Sequence, residues 1–133
     1  MMTARKKNTL LLCNRLPAVR GRYTQAAPLN MLTWFRVGGC AEVLFEPQDH
    51  EDLATFLKGK PADVPLTLLG LGANTLVRDG GVPGVVIKLG RAFATIKISG
   101  TTLRVGASAF DRAIAMASRD GGITGLEFLS GIP

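Results

Sequence analysis

Leu68-Leu-Gly-Leu-Gly-Ala-Asn-Thr-Leu-Val77 is the most informative segment of the sequence. An apolar run leads into two glycines, Gly70 and Gly72, and then into Ala73-Asn74. Glycine allows positive φ angles and lets the backbone approach a ligand closely, and successive N–H groups in such a turn can form an anion-binding concavity. A diphosphate suits it, because several charge-assisted hydrogen bonds of about 1.5–3 kcal/mol each would converge. The stretch predicts a phosphate-binding turn after a short buried strand.

Two better-known nucleotide loops do not fit this turn. The dinucleotide fingerprint needs a third glycine where Thr75 stands, followed at once by a helix. Here the chain continues through Val77-Arg-Asp-Gly-Gly81 into another apolar run. The Walker loop needs Gly-Lys-Ser/Thr, which is absent from the sequence. Taken alone, the glycine turn is also compatible with an ordinary connection between two strands.

Five strands and two helices are predicted around this turn. The strands are expected at residues 41–46, 66–69, 85–89, 94–98 and 102–105, with a hairpin turn at Ser99-Gly100. Asp49 is expected to cap the first helix, and the second is expected at residues 110–119. The apolar faces are expected to be Leu53, Phe56 and Leu57 on the first helix, and Phe110, Ala113, Ile114 and Ala117 on the second. Strands and helices alternate too rarely for a doubly wound sheet, so the fold class is α+β.

Composition supports one globular domain and excludes several classes of protein. The chain has 133 residues, of which 47% are hydrophobic. No run approaches the ~20 apolar residues that span a bilayer, and the run Leu10 to Cys13 is too short for a secretory signal. Cys13 and Cys40 match no metal or disulfide spacing. A cytoplasmic protein with two reduced thiols, no metal site and no membrane partner is expected.

The net charge of +6 is concentrated at one end of the chain. Residues 1–24 hold six basic residues and no acid, whereas the rest of the chain has ten basic and ten acidic residues. The body carries no basic stripe interleaved with aromatics, the pattern that stacks on nucleic-acid bases. A solvated basic arm over residues 1–30 is therefore predicted, and nucleic acid is not expected as a partner.

Three segments together resemble the N-terminal half of the UDP-N-acetylenolpyruvoylglucosamine reductase family, also called UDP-N-acetylmuramate dehydrogenases. The first is Leu29-Asn-Met-Leu-Thr-Trp-Phe-Arg-Val-Gly-Gly39, and the second is Gly70-Leu-Gly-Ala-Asn-Thr-Leu-Val-Arg-Asp-Gly-Gly81. The third is Gly122-Ile-Thr-Gly-Leu-Glu-Phe-Leu-Ser-Gly-Ile-Pro133. They follow the family's order and are near its spacing from about Leu16 to the end.

The resemblance implies an FAD-binding domain of the type shared by vanillyl-alcohol oxidase and carbon monoxide dehydrogenase flavoproteins. It would occupy residues 31–133, with a first subdomain at about 31–65 and a second that begins near 66 and is cut at 133. The family's substrate domain would be absent. The chain is then an N-terminal fragment, inactive by itself and monomeric.

The family resemblance also implies the positions of the cofactor-binding residues. The family's Gly-x-Gly-Ser-Asn loop cradles the FAD diphosphate, and Ala73 stands here where serine is common, so one hydroxyl contact is lost. The family's segment that lines the flavin begins at the last residues of this chain. The cofactor-binding residues predicted in this way are Leu69, Gly70, Leu71, Gly72, Ala73, Asn74, Thr75, Leu76, Ser130, Ile132 and Pro133.

The implied reaction belongs to peptidoglycan and cell-wall synthesis. NADPH reduces FAD, and the flavin then passes a hydride to the enolpyruvyl group of a UDP-sugar, giving UDP-N-acetylmuramate. The family's proton donor, its glutamate and its arginine correspond to positions beyond Pro133, so no catalytic residue is assigned to this chain. A non-catalytic FAD-binding remnant and another flavoprotein oxidase of the same fold remain alternatives, although the loop lacks the histidine that often tethers flavin in such oxidases.

Four further residues are assigned structural roles. His50 is expected on the surface, in the first turn of the first helix. Trp34 and Phe35 are expected in the core at a domain junction, with contact to adenine as the alternative. Glu127 is expected to shape its own loop rather than to act as an acid or base.

Overall fold

The computed structural model describes residues 12–132. The predicted site residue Pro133 and the basic residues Arg5, Lys6 and Lys7 lie outside the described residues. The chain divides into two compact units between Leu89 and Gly90.

The first unit is built on a four-stranded mixed sheet. Its spatial order is β1-β2-β4-β3; β1 runs antiparallel to β2, whereas β2 and β3 are both parallel to β4. One helix, α1, connects β2 to β3. The elements are β1 Arg22–Pro28, β2 Cys40–Glu46, α1 His50–Gly59, β3 Leu66–Leu69 and β4 Val82–Lys88.

Both faces of the two central strands are buried. Along β2 and β4 successive side chains point to opposite faces, and each face has its own apolar cluster. One cluster holds Leu12, Val43, Phe45, Phe56, Val64, Val85 and Ile87, and the other holds Ala27, Leu29, Ala41, Leu44, Leu69, Val77 and Val86. Burial on both faces explains why β2 and β4 read as continuous apolar runs rather than as alternating ones.

Helix α1 begins as the sequence predicts. The Asp49 side chain accepts a 2.9 Å hydrogen bond from the Asp52 backbone N–H, which confirms Asp49 as the N-cap. Phe56 is fully buried and stacks on Phe45 with 4.5 Å between ring centroids. Leu57, expected on the same face, is half exposed.

A buried carboxylate fastens α1 to the chain before β1. Asp52 is almost inaccessible and accepts hydrogen bonds from the backbone N–H groups of Arg20 at 2.7 Å, Gly21 at 2.8 Å and Gln48 at 3.0 Å. Burial would raise the pKa of the Asp52 carboxyl, but these three N–H groups outweigh it and the pKa lies below its ordinary value. Burial, with the nearby Asp52 charge, raises the pKa of Tyr23 to about 12.

The second unit holds a hairpin and a helix. Strands β5 Ile96–Ser99 and β6 Thr102–Val105 pair antiparallel, which confirms the hairpin predicted at Ser99-Gly100. Helix α2 covers Asp111–Asp120, and a 3-10 turn covers Glu127–Gly131. Ser118 is the buried residue of α2, and Ile114 and Ala117 of the predicted apolar face are partly buried. The prediction is wrong for Phe110 and Ala113, which are exposed. The Ser118 hydroxyl can be buried because it donates to the Ile114 carbonyl at 2.8 Å.

Three sequence-based predictions about the first unit differ from the structure. The basic arm does not extend to residue 30, because residues 22–28 form β1 and pair with β2. Strand β3 is not buried, because it is an edge strand and only Leu69 of its residues is buried. The division expected near residue 65 lies instead after Leu89, because β3 shares its sheet with β2 through β4. The mixed α and β composition agrees with the expected class.

Candidate phosphate-binding site

The glycine loop lies between two neighbouring parallel strands. It leaves the carboxyl end of β3 after Leu69 and enters β4 at Val82. Gly72 has φ +71°, and a Cβ at this position would lie 2.6 Å from the Leu32 carbonyl oxygen and 3.0 Å from the Thr33 Cα. Gly72 is therefore required both by its left-handed conformation and by the close approach of residues 32–33.

Two carbonyl oxygens of the loop accept hydrogen bonds from residues outside it. The Trp34 backbone N–H donates to the Gly72 carbonyl at 3.0 Å, and the Lys88 Nζ donates to the Gly70 carbonyl at 3.2 Å. In a planar trans peptide the C=O and the following N–H point in opposite directions. The N–H groups of Leu71 and Ala73 are therefore turned away from these two partners.

The backbone donors of the loop are free for a ligand. Within residues 12–132, no acceptor receives the backbone N–H of Leu71, Gly72, Ala73 or Asn74. Backbone N–H groups in folded proteins are nearly always paired with protein, water or ligand. Free donors in a turn can form an anion-binding concavity.

A second turn, residues 33–39, packs against the C-terminal end of the loop, and this contact is called the clasp below. The Gly39 N–H donates to the Arg78 carbonyl at 3.0 Å, and the Gly81 N–H donates to the same carbonyl at 2.9 Å. Gly38 has φ +97°, and a Cβ there would collide with the Val77 carbonyl. The first two of the three family-like segments are thus one structural unit, since each fits only against the other.

A cavity of about 570 Å³ opens beside the loop. Its lining consists of Met31, Leu32, Thr33, Trp34, Arg36, Leu71 and Lys88. This lining includes two cations and no acid. Trp34 and Phe35 are 65% and 56% exposed, so the prediction that they belong to the core is wrong. They are exposed because the turn that carries them presents its backbone, rather than these side chains, to the loop.

Another cavity of similar size, about 600 Å³, lies elsewhere in the first unit. It is lined in part by Arg15 and Asp63, which form an ion pair of 2.6 Å across it. Since no residue of the glycine loop lines this cavity, we regard the smaller cavity as the candidate site.

The predicted site residues fall into the two units. Leu69 ends β3, and Gly70 to Leu76 continue from it as one loop in the first unit, with Asn74 and Leu76 exposed. Ser130 and Ile132 lie in the second unit, where the Ser130 hydroxyl donates to the Glu127 carbonyl at 2.7 Å. The Glu127 carboxylate accepts from the Gly125 N–H at 2.9 Å, as expected of a residue that shapes its loop.

Other chemistry is not indicated among the described residues. Within residues 12–132 no group of three or more histidine, cysteine or acidic side chains is arranged to hold a metal ion. His50 lies exposed in the first turn of α1, as predicted. In the same part of the chain, no helix is long and apolar enough to cross a membrane.

Arg36 and Lys88 line the candidate cavity but are not among the residues predicted from the sequence. Lys88 pairs in register with Leu69, so a parallel alignment of β3 with β4 would have placed it beside Gly70. Arg36 had no comparable signal, because its position depends on the turn at residues 33–39 packing against a loop more than thirty residues away.

Comparisons with known proteins agree on one enzyme. No protein-family model matches the chain. The UDP-N-acetylenolpyruvoylglucosamine reductase of Parvibaculum lavamentivorans is 58% identical over 125 residues, which are 94% of this chain and 40% of that protein. The enzyme of the same name from Paramagnetospirillum magneticum is 51% identical over 132 residues, covering 99% of this chain and 42% of that protein.

A solved structure shows the same similarity in three dimensions. The crystal structure of UDP-N-acetylenolpyruvylglucosamine reductase from Thermus caldophilus superposes with a TM-score of 0.64 at 32% identity. The match covers 87% of this chain and 39% of that one. The chain therefore spans about two-fifths of the length of the relatives that it matches.

Proposed function

Because the chain belongs to the UDP-N-acetylenolpyruvoylglucosamine reductase family, we propose that it supplies the FAD-binding loop of such a reductase. The complete enzyme would use NADPH to reduce UDP-N-acetylglucosamine enolpyruvate to UDP-N-acetylmuramate. The loop at Gly70 to Leu76 would hold the FAD diphosphate, and Ser130, Ile132 and Pro133 would begin the segment along the flavin. The fold would be the vanillyl-alcohol oxidase type of FAD domain, in a cytoplasmic monomer.

One observation carries this proposal: the N–H groups of Leu71 and Ala73 have no acceptor within residues 12–132, and they point away from Lys88 and Trp34, which hold the Gly70 and Gly72 carbonyls. The residues present fit a diphosphate, because free N–H groups in a glycine turn can donate to charged oxygens. Ala73 supplies no hydroxyl, but its N–H remains.

FAD, when bound, would supply the hydride chemistry. This chain's own part is binding and orientation: the N–H groups fix the diphosphate, and the clasp at residues 33–39 keeps the loop from collapsing. Protonation of the substrate requires an acid that faces its double bond. The resemblance assigns that group to no residue of this chain, so binding of FAD and turnover are separable.

The proposal is tested on the purified 133-residue chain by calorimetric titration with FAD and with riboflavin, which lacks phosphate. We expect saturable but weak FAD binding and much weaker riboflavin binding. Equal binding of the two would contradict recognition of the diphosphate. Loss of NADPH absorbance is then followed with and without UDP-N-acetylglucosamine enolpyruvate. We expect no substrate-dependent oxidation, and turnover would place catalytic groups within this chain.

A further inference from the structure

The second unit buries few of its own apolar side chains. Both apolar clusters of residues 12–132 are formed by buried residues of the first unit. Among the large apolar side chains described in the second unit, Phe93 alone is buried. Five others are 41–65% exposed, namely Ile98, Phe110, Met116, Phe128 and Ile132. Because burial of apolar surface is the main favourable term in folding, this unit gains little stability from its own packing.

The hairpin of the second unit is a sheet with two open edges. Strands β5 and β6 pair only with each other. Within the described part of the chain, no backbone hydrogen bond joins residues 96–105 to another element. Helix α2 packs mainly on the 3-10 turn Glu127–Gly131 rather than on the hairpin. A two-stranded hairpin is marginal in water and is stabilised by a further strand, so this one is suited to strand addition.

The polar face of the hairpin carries two cations without acidic partners. Lys97 and Arg104 stand directly opposite each other, and both are exposed. Neither takes part in an ion pair with another residue of the range 12–132. Like charges at opposed positions destabilise a pair of strands. An acidic side chain on a neighbouring strand would relieve this repulsion, and apolar side chains on either side of it would meet the other face of the hairpin.

Strand β5 has the less covered edge of the two. Ile98 contacts the end of α2, since a Cβ on Gly121 would lie 2.9 Å from the Ile98 Cδ1, yet Ile98 remains 41% exposed. On β6, Leu103 and Val105 are half-buried. An added strand along β5 would therefore cover more apolar surface than one along β6, and it would lie beside Lys97.

The reductases that this chain matches have about three-fifths of their length outside the match. We propose that this other part of the reductase binds the second unit by adding a strand along β5, with an acidic side chain beside Lys97. The inference rests on family membership and on the surface of the second unit. It makes no use of the glycine loop, so it can fail while the proposed function stands.

The experiment joins the 133-residue chain, through a protease site after Pro133, to the part of the Parvibaculum lavamentivorans reductase that lies beyond the match. The joined protein is purified and then cleaved, so that both parts fold before they are separated. We expect the parts to elute together in gel filtration after cleavage. Amide hydrogen exchange at Ile96 to Ser99 should be about tenfold slower or more than in the 133-residue chain alone.

Lys97→Glu separates association from the stability of the hairpin. The substitution gives Arg104 a partner of opposite charge, so the melting temperature of the 133-residue chain should stay equal or rise. The glutamate would repel the acid of the added strand, and we expect the Kd between the cleaved parts to rise about five- to tenfold. Arg104→Glu is the matched control, since it creates the same cross-strand pair on the other edge and should raise the Kd less.

Sedimentation of the 133-residue chain alone tests whether a second copy is the occupant instead. We expect a monomer. A dimer that protects Ile96 to Ser99 from exchange and that Lys97→Glu weakens would overturn the assignment to the rest of the reductase. Separate elution of the cleaved parts, a joined protein that only aggregates, or an unchanged Kd in Lys97→Glu would overturn the inference itself. A greater loss in Arg104→Glu than in Lys97→Glu would overturn the choice of β5.

Discussion

Gly72 is the residue at which conformation, packing and the candidate function coincide. Its φ of +71° and its contact with Leu32 leave no room for a Cβ, and its carbonyl receives the Trp34 N–H. The sequence could indicate that glycine was needed here, because the spacing Gly70-x-Gly72 is a turn signal. It could not indicate which neighbour approaches, since residues 32–33 are brought to the loop by tertiary structure alone.

Gly72→Val tests this position. We expect FAD affinity to fall at least tenfold, because a branched side chain must displace the Leu32–Thr33 backbone and move the loop donors with it. Gly80→Val is the matched control: Gly80 lies in the same connection, has no positive φ, and a Cβ there meets no atom within 4 Å. FAD titration of both variants, with circular dichroism to verify folding, is the measurement. Unchanged affinity in a folded Gly72→Val protein would show that this loop is not the site.

At the level of elements, the sequence predicts the central strands and the hairpin but misses β1. The central residues of β2 and β4, Val43 to Phe45 and Val85 to Ile87, are buried on both faces and are all apolar. Strand β1 is an edge strand in which Ala27 alone is buried, so its composition carries no strand signal. The sequence also did not predict that β3 is exposed, because a four-residue apolar run does not show whether each face and edge of the strand packs against other residues.

The junction of α1 with the chain before β1 depends on Asp52. Asp52→Asn replaces an acceptor of three N–H hydrogen bonds by an amide that presents donors of its own. We expect the free energy of unfolding at pH 7 to fall by about 2–3 kcal/mol. Glu51→Gln, on the exposed first turn of the same helix, is the control and should have a smaller effect. Urea denaturation measures both, and equal stability of Asp52→Asn and wild type would contradict this role.

The contribution of Asp52 to the free energy of unfolding should also decrease as the pH falls. Because the folded-state pKa of Asp52 lies below the unfolded value near 3.8, the carboxylate stabilises the native state fully above that value. The stabilisation is lost as pH falls from about 4 through the lower folded-state pKa. The stability difference between wild type and Asp52→Asn is therefore expected to be constant from pH 7 to pH 5 and to narrow below pH 4. A difference that grows on acidification would contradict this assignment.

For the whole molecule, the basic N-terminal region and the folded body can be separated by deletion. Removing residues 1–11 should leave FAD affinity unchanged, since the residues that line the candidate cavity begin at Met31. Removing residues 1–24 should lower the melting temperature, because it takes away two N–H donors to Asp52 and the first residues of β1. Thermal denaturation and FAD titration of the two deletions test this. A large loss of FAD affinity in the shorter deletion would show that the basic region belongs to the site.

The sequence predicts the glycine loop and the family, but not the cavity next to the loop. Glycine spacing is a local signal and is visible in a stretch of ten residues. The positions of Arg36 and Lys88 depend on the order of strands in the sheet and on two turns that fit against each other. Such information is distributed over the whole first unit, and no local pattern carries it.

The clasp between residues 33–39 and the glycine loop has a consequence for the order of events during folding. The two turns are separated by more than thirty residues, so we expect their contact to form after β2 and β4 have paired in parallel, since contacts of such sequence separation form slowly. The donors of the loop are held in place only at that late stage, when a ligand at 100 times its Kd would stabilise the native state by about 2.7 kcal/mol. Flavin would therefore recognise only chains that have completed the sheet. A peptide of residues 66–81, although it holds the glycines and the free N–H groups, should bind no diphosphate.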